Sequence, residues 1–318
     1  MSYNLLADLY TSQTSSPLWT YLDKKYLSIF YRLPNLINEI IDTEPNILLL
    51  QEVDSKHYRR YIKPILEYYG YVGFFGEKGG GQSEGLCSFF KGVEVCESST
   101  LKFKDVYNCE IKKFINFDNN FKDIMYNKLG TICQVTEIRV MNVVVGIANI
   151  HLFYHPKADH IRLLQCKAVY EYVVKRWGRV VVGGDFNCDW RAGGVRLLEE
   201  GRVEEGGECW ERVWRDLNVF NWGGGDAEDS KKVKNLKPRE FTIQQPMTLA
   251  SGIHSFTNYA VGFIEQLDYI YVKGLKPMGY AECIERSVVE PFTAMPNERM
   301  GSDHLSVVCD VSIDDDDE

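Results

Sequence analysis

A chain of 318 residues that is 45% hydrophobic and 25% charged has the make-up of an ordinary globular protein. No apolar run reaches membrane-spanning length, so no membrane partner is expected. Net charge is −9, but the last five residues are all acidic, which leaves −4 for the rest and excludes the broad basic footprint of a duplex-coating protein.

The N-terminus shows neither a basic region followed by an apolar segment nor an Arg-rich amphipathic pattern, so no secretory or mitochondrial leader is visible in it. Nine cysteines, an odd number with no CxxC pair, argue against a zinc site and for a reducing compartment. The expected location is the cytoplasm, or the mitochondrion if a leader has been removed.

In chain order, residues 2–6 read as a short strand and 11–17 as a polar loop. Residues 31–42 have helical periodicity, with Leu33, Leu36, Ile37, Ile40 and Ile41 on one side. Pro45-Asn46 ends that helix, and residues 47–52 follow as a buried strand ending in Glu52. A helix is expected over 60–70, a flexible glycine loop over 79–85 and a strand over 86–91. The glycine loop lacks the Lys-Ser/Thr of a phosphate-binding P-loop. Residues 100–128 are mixed and partly helical. Residues 131–139 and 140–151 form a strand pair ending in His151. A helix over 161–177 carries Leu164, Ala168, Tyr172 and Val173 at core spacing. The run Val180-Val181-Val182-Gly183-Gly184 is a strand leading into Asp185-Phe186-Asn187. Residues 196–245 are hard to read, with a surface excursion over 223–237. The last strands are 266–272 and 305–311.

The polar residues at the ends of these runs form a pattern. Glu52, His151, Asp185 and Asn187 close three strands. Asp268 and Asp303-His304 open the last two. If the last two run antiparallel to the first three, all meet on one edge, which predicts mixed or antiparallel sheets. Residues i and i+2 of a strand share a face, so Asp185 and Asn187 can address one ligand. An oxygen-rich set of this kind suits Mg²⁺ or Mn²⁺ as one or two ions, and metal-assisted phosphodiester hydrolysis is its natural chemistry. One carboxylate would deprotonate water, and a histidine kept protonated by a buried carboxylate would stabilise charge on the phosphate. Singly, each of these residues has an ordinary structural reading; together they require several coincidences.

The motifs Ser2-Tyr3-Asn4-Leu5-Leu6-Ala7-Asp8, Leu50-Gln51-Glu52-Val53-Asp54, Glu84-Gly85 with Phe89-Phe90-Lys91, Gly184-Asp185-Phe186-Asn187, Leu267-Asp268-Tyr269-Ile270 and Ser302-Asp303-His304 occur in that order. They resemble the endonuclease/exonuclease/phosphatase superfamily. Within it the chain looks like the deadenylase branch, and most of all the 2′,5′-phosphodiesterase (phosphodiesterase-12) type. That choice rests on His155-Pro156-Lys157, Ile161-Arg162-Leu163-Leu164-Gln165, Thr257-Asn258-Tyr259 and Gly262-Phe263. The resemblance implies an α/β fold, a two-sheet sandwich with mixed or antiparallel sheets flanked by helices, as a single domain over residues 1–313. An acidic disordered tail over 314–318 follows.

It also implies roles. Glu52 would be the main metal ligand, with Asn4, Asp185, Asn187 and Asp303 on the metal side. Asp185 would activate water and Asn187 hold the phosphate. His304 would contact the scissile phosphate, its ring held by Asp268, and His151 would stabilise the phosphate or leaving group. Pro156 and Phe263 would sandwich an adenine, with Asn258 beside them, because a stacked π-face grips a single-stranded base. One departure is Asn149-Ile150-His151, where the family carries Asn-Thr-His; the lost hydroxyl is expected to loosen local hydrogen bonding.

The function expected is Mg²⁺-dependent 3′-to-5′ exoribonuclease or phosphodiesterase activity. It would release AMP from adenine-rich single-stranded RNA or oligoadenylate, with no protein partner evident. The alternatives are hydrolysis of a small phosphorylated molecule or RNA terminal cyclic phosphate, and an inactive RNA-binding scaffold.

Overall fold

The computed structural model describes residues 1–11, 17–79, 81–116, 119–219 and 240–313. The acidic tail, most of the 11–17 loop and the whole of the 223–237 excursion lie outside the described residues.

The strands, in order, are β1 (Ser2–Asn4), β2 (Ile47–Asp54), β3 (Val72–Glu77), β4 (Glu84–Phe90), β5 (Glu94–Lys102), β6 (Ile132–Val140), β7 (Val143–His151), β8 (Val180–Asp185), β9 (Arg202–Glu204), β10 (Glu240–Thr242), β11 (Thr248–Leu249), β12 (Asn258–Ala260), β13 (Phe263–Glu265), β14 (Asp268–Lys273), β15 (Lys276–Tyr280) and β16 (Cys309–Ser312). One sheet runs β1-β2-β4-β3 and the other β11-β14-β8-β7-β6-β5. β1 is parallel to β2, and β7 to β8, while β14 runs antiparallel to β8. Val307 bridges Ser2 in antiparallel sense, so both late segments oppose the early strands, as the pattern of polar ends predicts.

The two sheets pack face to face over Leu49, Phe90, Ile147, Val181, Ile270 and Val307. The outer face of the six-stranded sheet is covered by the helix Asp159–Val174, and that of the other by the helix Ile29–Thr43. β8 is therefore buried on both sides. Val181 faces the inter-sheet core, and Val180 and Val182 face the helices. That is why it reads as an unbroken apolar run rather than an alternating one. β5 is an edge strand with few buried positions, and its sequence carries no comparable signal.

The helix expected over 60–70 starts earlier, directly off β2, as Ser55–His57, Tyr58–Ile62 and Lys63–Tyr68. Part of the stretch that is hard to read in sequence is packed structure. The helices Gly193–Glu200 and Glu208–Val219 and strand β9 add Leu197, Leu198, Val203 and Trp210 to the core.

Gly184 sets the exit of β8. Its φ is +149°, and a Cβ there would lie 1.9 Å from the Ile150 carbonyl oxygen. Only glycine lets β7 and β8 close up just before Asp185.

Candidate active site

The ends of β1, β2, β7, β8 and β14, with the segment after Ser302, meet at one edge of the sandwich. They line a cleft of about 780 Å³ that holds Glu52, His151, Asp185, Asn187, Asn258, Phe263, Asp303 and His304.

Local distortions aim two of these groups. The pairing of β2 with β4 shifts register between Leu50 and Val53, and Glu52 inside that bulge has φ +52°. A bulge re-aims a side chain, and the left-handed backbone of a non-glycine residue is a local cost. Asn187 has φ +50°, a conformation asparagine tolerates, and its amide donates to the Leu152 carbonyl at 3.0 Å. Its backbone N–H donates to Asp185 Oδ1 at 2.8 Å.

Asn4 ties the two carboxylates together. Its Nδ2 donates to Glu52 Oε1 at 3.2 Å and to Asp185 Oδ2 at 3.0 Å, while its Oδ1 accepts the Leu6 N–H at 3.0 Å. Asn4, expected on the metal side, thus stands between the two carboxylates with its oxygen accepting a backbone N–H. Glu52 Oε2 accepts the Ala7 N–H at 3.1 Å.

Asp268 and His304 form a second unit. His304 Nδ1 lies 2.8 Å from Asp268 Oδ2, and His304 Nε2 lies 3.7 Å from Asp185 Oδ2. Thr257 donates to Asp268 Oδ2 at 2.6 Å and accepts the Asp268 N–H at 3.0 Å, which fixes the carboxylate. Asp185, Asp268 and His304 offer atoms within 4.8 Å of one another, a group able to hold a metal ion. Asp268 is fully buried, its Oδ2 engages the imidazole and its Oδ1 has no hydrogen-bond partner among the described residues, whereas the carboxylates of Asp185, Glu52 and Asp303 line the cleft. His151 Nε2 lies 3.6 Å from Asp185 Oδ2 and 3.9 Å from Glu52 Oε1.

The electrostatics follow from burial. Desolvation, then the Asp303 and Glu84 charges, pushes Glu52 up to about 7. Desolvation also raises Asp185, to about 6, against the pull of His304 and with the push of Asp268. Burial alone would lower His304, but Asp268 and Asp185 outweigh it and hold its pKa well above the usual value. His151 is held well below it by burial, with Lys78 and His304 adding to the effect. The site thus sets one cationic and one neutral imidazole against two carboxylates, of which Asp185 faces the His304 charge at 3.7 Å. An all-oxygen pair of that kind fits a hard divalent cation.

Burial makes cation binding compete with protons. Both carboxylates must be ionised, so the affinity for Mg²⁺ is expected to fall as pH drops through 7 and 6, by roughly tenfold per unit once a proton must be displaced. Calorimetric titration of the metal-free protein with Mg²⁺ at pH 8.0, 7.0 and 6.0 checks this. A constant affinity would mean that these carboxylates do not hold the ion.

Phe263 lines the cleft with 47% exposure, but Pro156 is not brought to it. Pro156 lines a neighbouring depression with Lys157, Asp189 and Arg212. The cause is Arg162, buried on the helix Asp159–Val174, which donates to the Phe153 and His155 carbonyls at 3.2 and 2.6 Å and pins that loop. Tyr154, 66% exposed, lines the cleft instead. Asn258 lines it too, its amide donating to the Asp303 carbonyl at 3.2 Å. Ile150 points away into the helix-side apolar core, so the departure from Asn-Thr-His does not touch the site, and the expected loosening of hydrogen bonds has no place to occur. Asn149 keeps three bonds, to Gln51, Leu50 and Cys87, at 2.8 to 3.1 Å.

Arg32 was not legible as a site residue. It lies in the first turn of the helix Ile29–Thr43, fully buried, and donates to the carbonyls of Leu5, Leu6, Leu27 and Gly301 at 2.8 to 3.0 Å. It thereby fixes the segments that carry Asn4 and Asp303. Arg32→Met should lower stability by about 3 kcal/mol or more, because several buried carbonyls lose a charged donor. Urea unfolding reads this; an unchanged midpoint would remove Arg32 from the scaffold of the site.

Comparison with known proteins agrees with this architecture. The model of the Endonuclease/Exonuclease/phosphatase family matches residues 1–304. The chain is 26% identical over 337 residues to 2′,5′-phosphodiesterase 12 of Rattus norvegicus, a match covering 98% of this chain and 51% of that protein. It is 22% identical over 337 residues to the CCR4-Not complex 3′-5′-exoribonuclease subunit Ccr4 of Saccharomyces cerevisiae, covering 97% of this chain and 38% of that protein. The chain thus spans about half the length, or less, of the curated relatives it matches. The structure of ANGEL2, a 2′,3′-cyclic phosphatase, in complex with adenosine-2′,3′-vanadate superposes with a TM-score of 0.75 at 20% identity, covering 96% of this chain and 92% of that one; at this identity the likeness speaks for the fold. With a family model matched over nearly its whole length and the sandwich fold in place, the chain belongs to the Endonuclease/Exonuclease/phosphatase family.

Proposed function

We propose that the protein is a Mg²⁺-dependent phosphodiesterase acting 3′-to-5′ on adenine-rich single-stranded RNA, releasing AMP from poly(A), 2′,5′-oligoadenylate or both. The observation that carries the reading is the cationic His304, held by Asp268 and directed at Asp185, beside the Glu52–Asn4–Asp185 set. Relatives named as a 2′,5′-phosphodiesterase and a 3′-5′-exoribonuclease support the substrate class.

A divalent cation held by Glu52 and Asp185 would supply positive charge to a nonbridging phosphate oxygen. Asp185, ionised above about pH 6, accepts the proton of the attacking water. The His304 imidazolium faces the phosphate and offsets charge that builds there. Neutral His151 presents an N–H to the same group, and Asn187 and Asp303 border it. Phe263 stacks on the base, with Tyr154 as the second aromatic available in the cleft.

Side-by-side digestion of 3′,5′-linked oligo(A), 2′,5′-linked oligo(A) and oligo(U), with Mg²⁺ and with EDTA, tests the proposal. AMP release from an A-containing substrate, little from oligo(U) and none in EDTA is expected. No metal-dependent release from any of the three would overturn it in favour of a small phosphorylated substrate or an inactive scaffold.

A further inference from the structure

One wall of the cleft carries two lysines, each ion-paired to a carboxylate, and the roles assigned above give neither a contact with substrate. The loop after β3 and the segment before β6 are clasped together: the Gly79 N–H donates to the Gly130 carbonyl at 2.9 Å. A Cβ on Gly130 would lie 2.4 Å from the Gly79 carbonyl oxygen, so the contact requires glycine there. Lys78 and Lys128 flank this clasp, and both line the cleft with Glu52, His151 and Asp185.

Lys78 is held from two sides. Its backbone N–H donates to the Glu84 carbonyl at 3.0 Å, and its Nζ lies 2.7 Å from Glu84 Oε1. The Glu84 side chain is 1% exposed, and the same oxygen accepts the Tyr10 hydroxyl at 3.1 Å. Lysines ordinarily carry their charge out to water, and burying a carboxylate to anchor one costs more than an apolar pair of similar size. Here the ammonium is kept inside the cleft, its side chain 17% exposed, with two of its three N–H donors left over after Glu84 among the described residues. Lys128, at the rim, is paired with Asp123 at 3.2 Å and is 36% exposed. The rest of the cleft is rich in carboxylate, so an oligoanion needs a separate cationic foothold.

We infer that this wall binds a second phosphate of the substrate, adjoining the scissile one, with Lys78 as the main contact and Lys128 at its edge. The inference rests on the phosphodiesterase reading above and narrows its substrate class. It favours strands with consecutive phosphates over a dinucleoside monophosphate or a lone terminal cyclic phosphate.

The test reads binding rather than turnover. AMP, adenosine 3′,5′-bisphosphate and adenosine 2′,5′-bisphosphate are titrated into the full chain with Mg²⁺ present. One bisphosphate is expected to bind roughly tenfold more tightly than AMP. Lys78→Ala should abolish that margin and Lys78→Arg should retain it. Because Lys78→Ala leaves Glu84 unpaired, the double variant Lys78→Gln/Glu84→Gln removes the pair together and should also lose the margin. Equal affinity for AMP and both bisphosphates in the wild type, or a margin that survives in the Lys78→Gln/Glu84→Gln protein, would overturn the inference. A margin in a protein that hydrolyses no RNA would sink the phosphodiesterase reading and keep the subsite. AMP release from oligo(A) without a margin would do the reverse.

Discussion

Asp185→Asn is expected to lower kcat on oligo(A) by about 10³-fold or more, and to raise the stability of the metal-free protein at the same time. On the proposed function, the first effect comes from removing both the base and one of the two carboxylates that would hold the cation, each worth orders of magnitude. The second comes from desolvation. Asp185 is 1% exposed, and its folded pKa of about 6 stands above the ordinary aspartate value. A carboxyl group raised in this way contributes stability that is fully present below its unfolded pKa and is lost as pH rises through about 6. Asparagine carries no such charge, so the variant should gain on the order of 2 kcal/mol at pH 8 in EDTA and nothing near pH 3.5. Glu52→Gln should show the same pair of changes, with its gain appearing as pH rises through about 7. Thermal unfolding in EDTA at several pH values, beside turnover in Mg²⁺, measures both. A variant that keeps near-full hydrolysis would end the assignment of the base. A variant less stable at pH 8 would show the carboxylate to be a scaffold residue.

Asp268→Asn is expected to reduce kcat by roughly 10² to 10³-fold and to change the shape of the pH profile. In the wild type, His304 stays protonated well above its usual pKa because Asp268 and Asp185 offset the cost of burial. Its contribution to stability is full below the unfolded histidine pKa and is lost only as pH rises through the raised folded value. Activity that needs the imidazolium should therefore hold across neutral pH and fall on the basic side. Without the Asp268 charge the raising influence shrinks, and that basic limb should move down towards neutrality. Thr257→Val, which frees the Asp268 carboxylate without discharging it, should cost less, about tenfold, and leave the limb near its wild-type position. A basic limb that does not move in Asp268→Asn would mean that His304 acts as a neutral donor, and the charge argument would fail.

Much of this was legible because strands terminate visibly. β-Branched and leucine runs at 48–50, 145–150 and 180–182 are buried in the structure, and each leads to a polar residue that reaches the cleft. The order of polar ends, late in the early strands and early in the late ones, also carried the antiparallel sense of β14. The edge strands β3 and β5 and the helices of the 193–219 stretch were harder to see. The two strands bury almost none of their side chains, so their alternation is weak, whereas the two helices do carry an amphipathic period of their own.

What the sequence determined by itself is the chemical inventory and the edge on which it gathers, since strand period and strand ends are local properties. What only the tertiary structure decided is how each group is used. Asn4 bridges Glu52 and Asp185 through its amide nitrogen while its oxygen accepts the Leu6 N–H. Pro156 lines a neighbouring depression on a loop whose carbonyls Arg162 holds, and Tyr154 lines the cleft. Lys78 is drawn inward by a glutamate six residues on, across a hairpin. Arg32 reaches carbonyls in three separate segments. Hydrogen-bond partners and desolvation depend on what is brought alongside from elsewhere in the chain, and no local pattern encodes that.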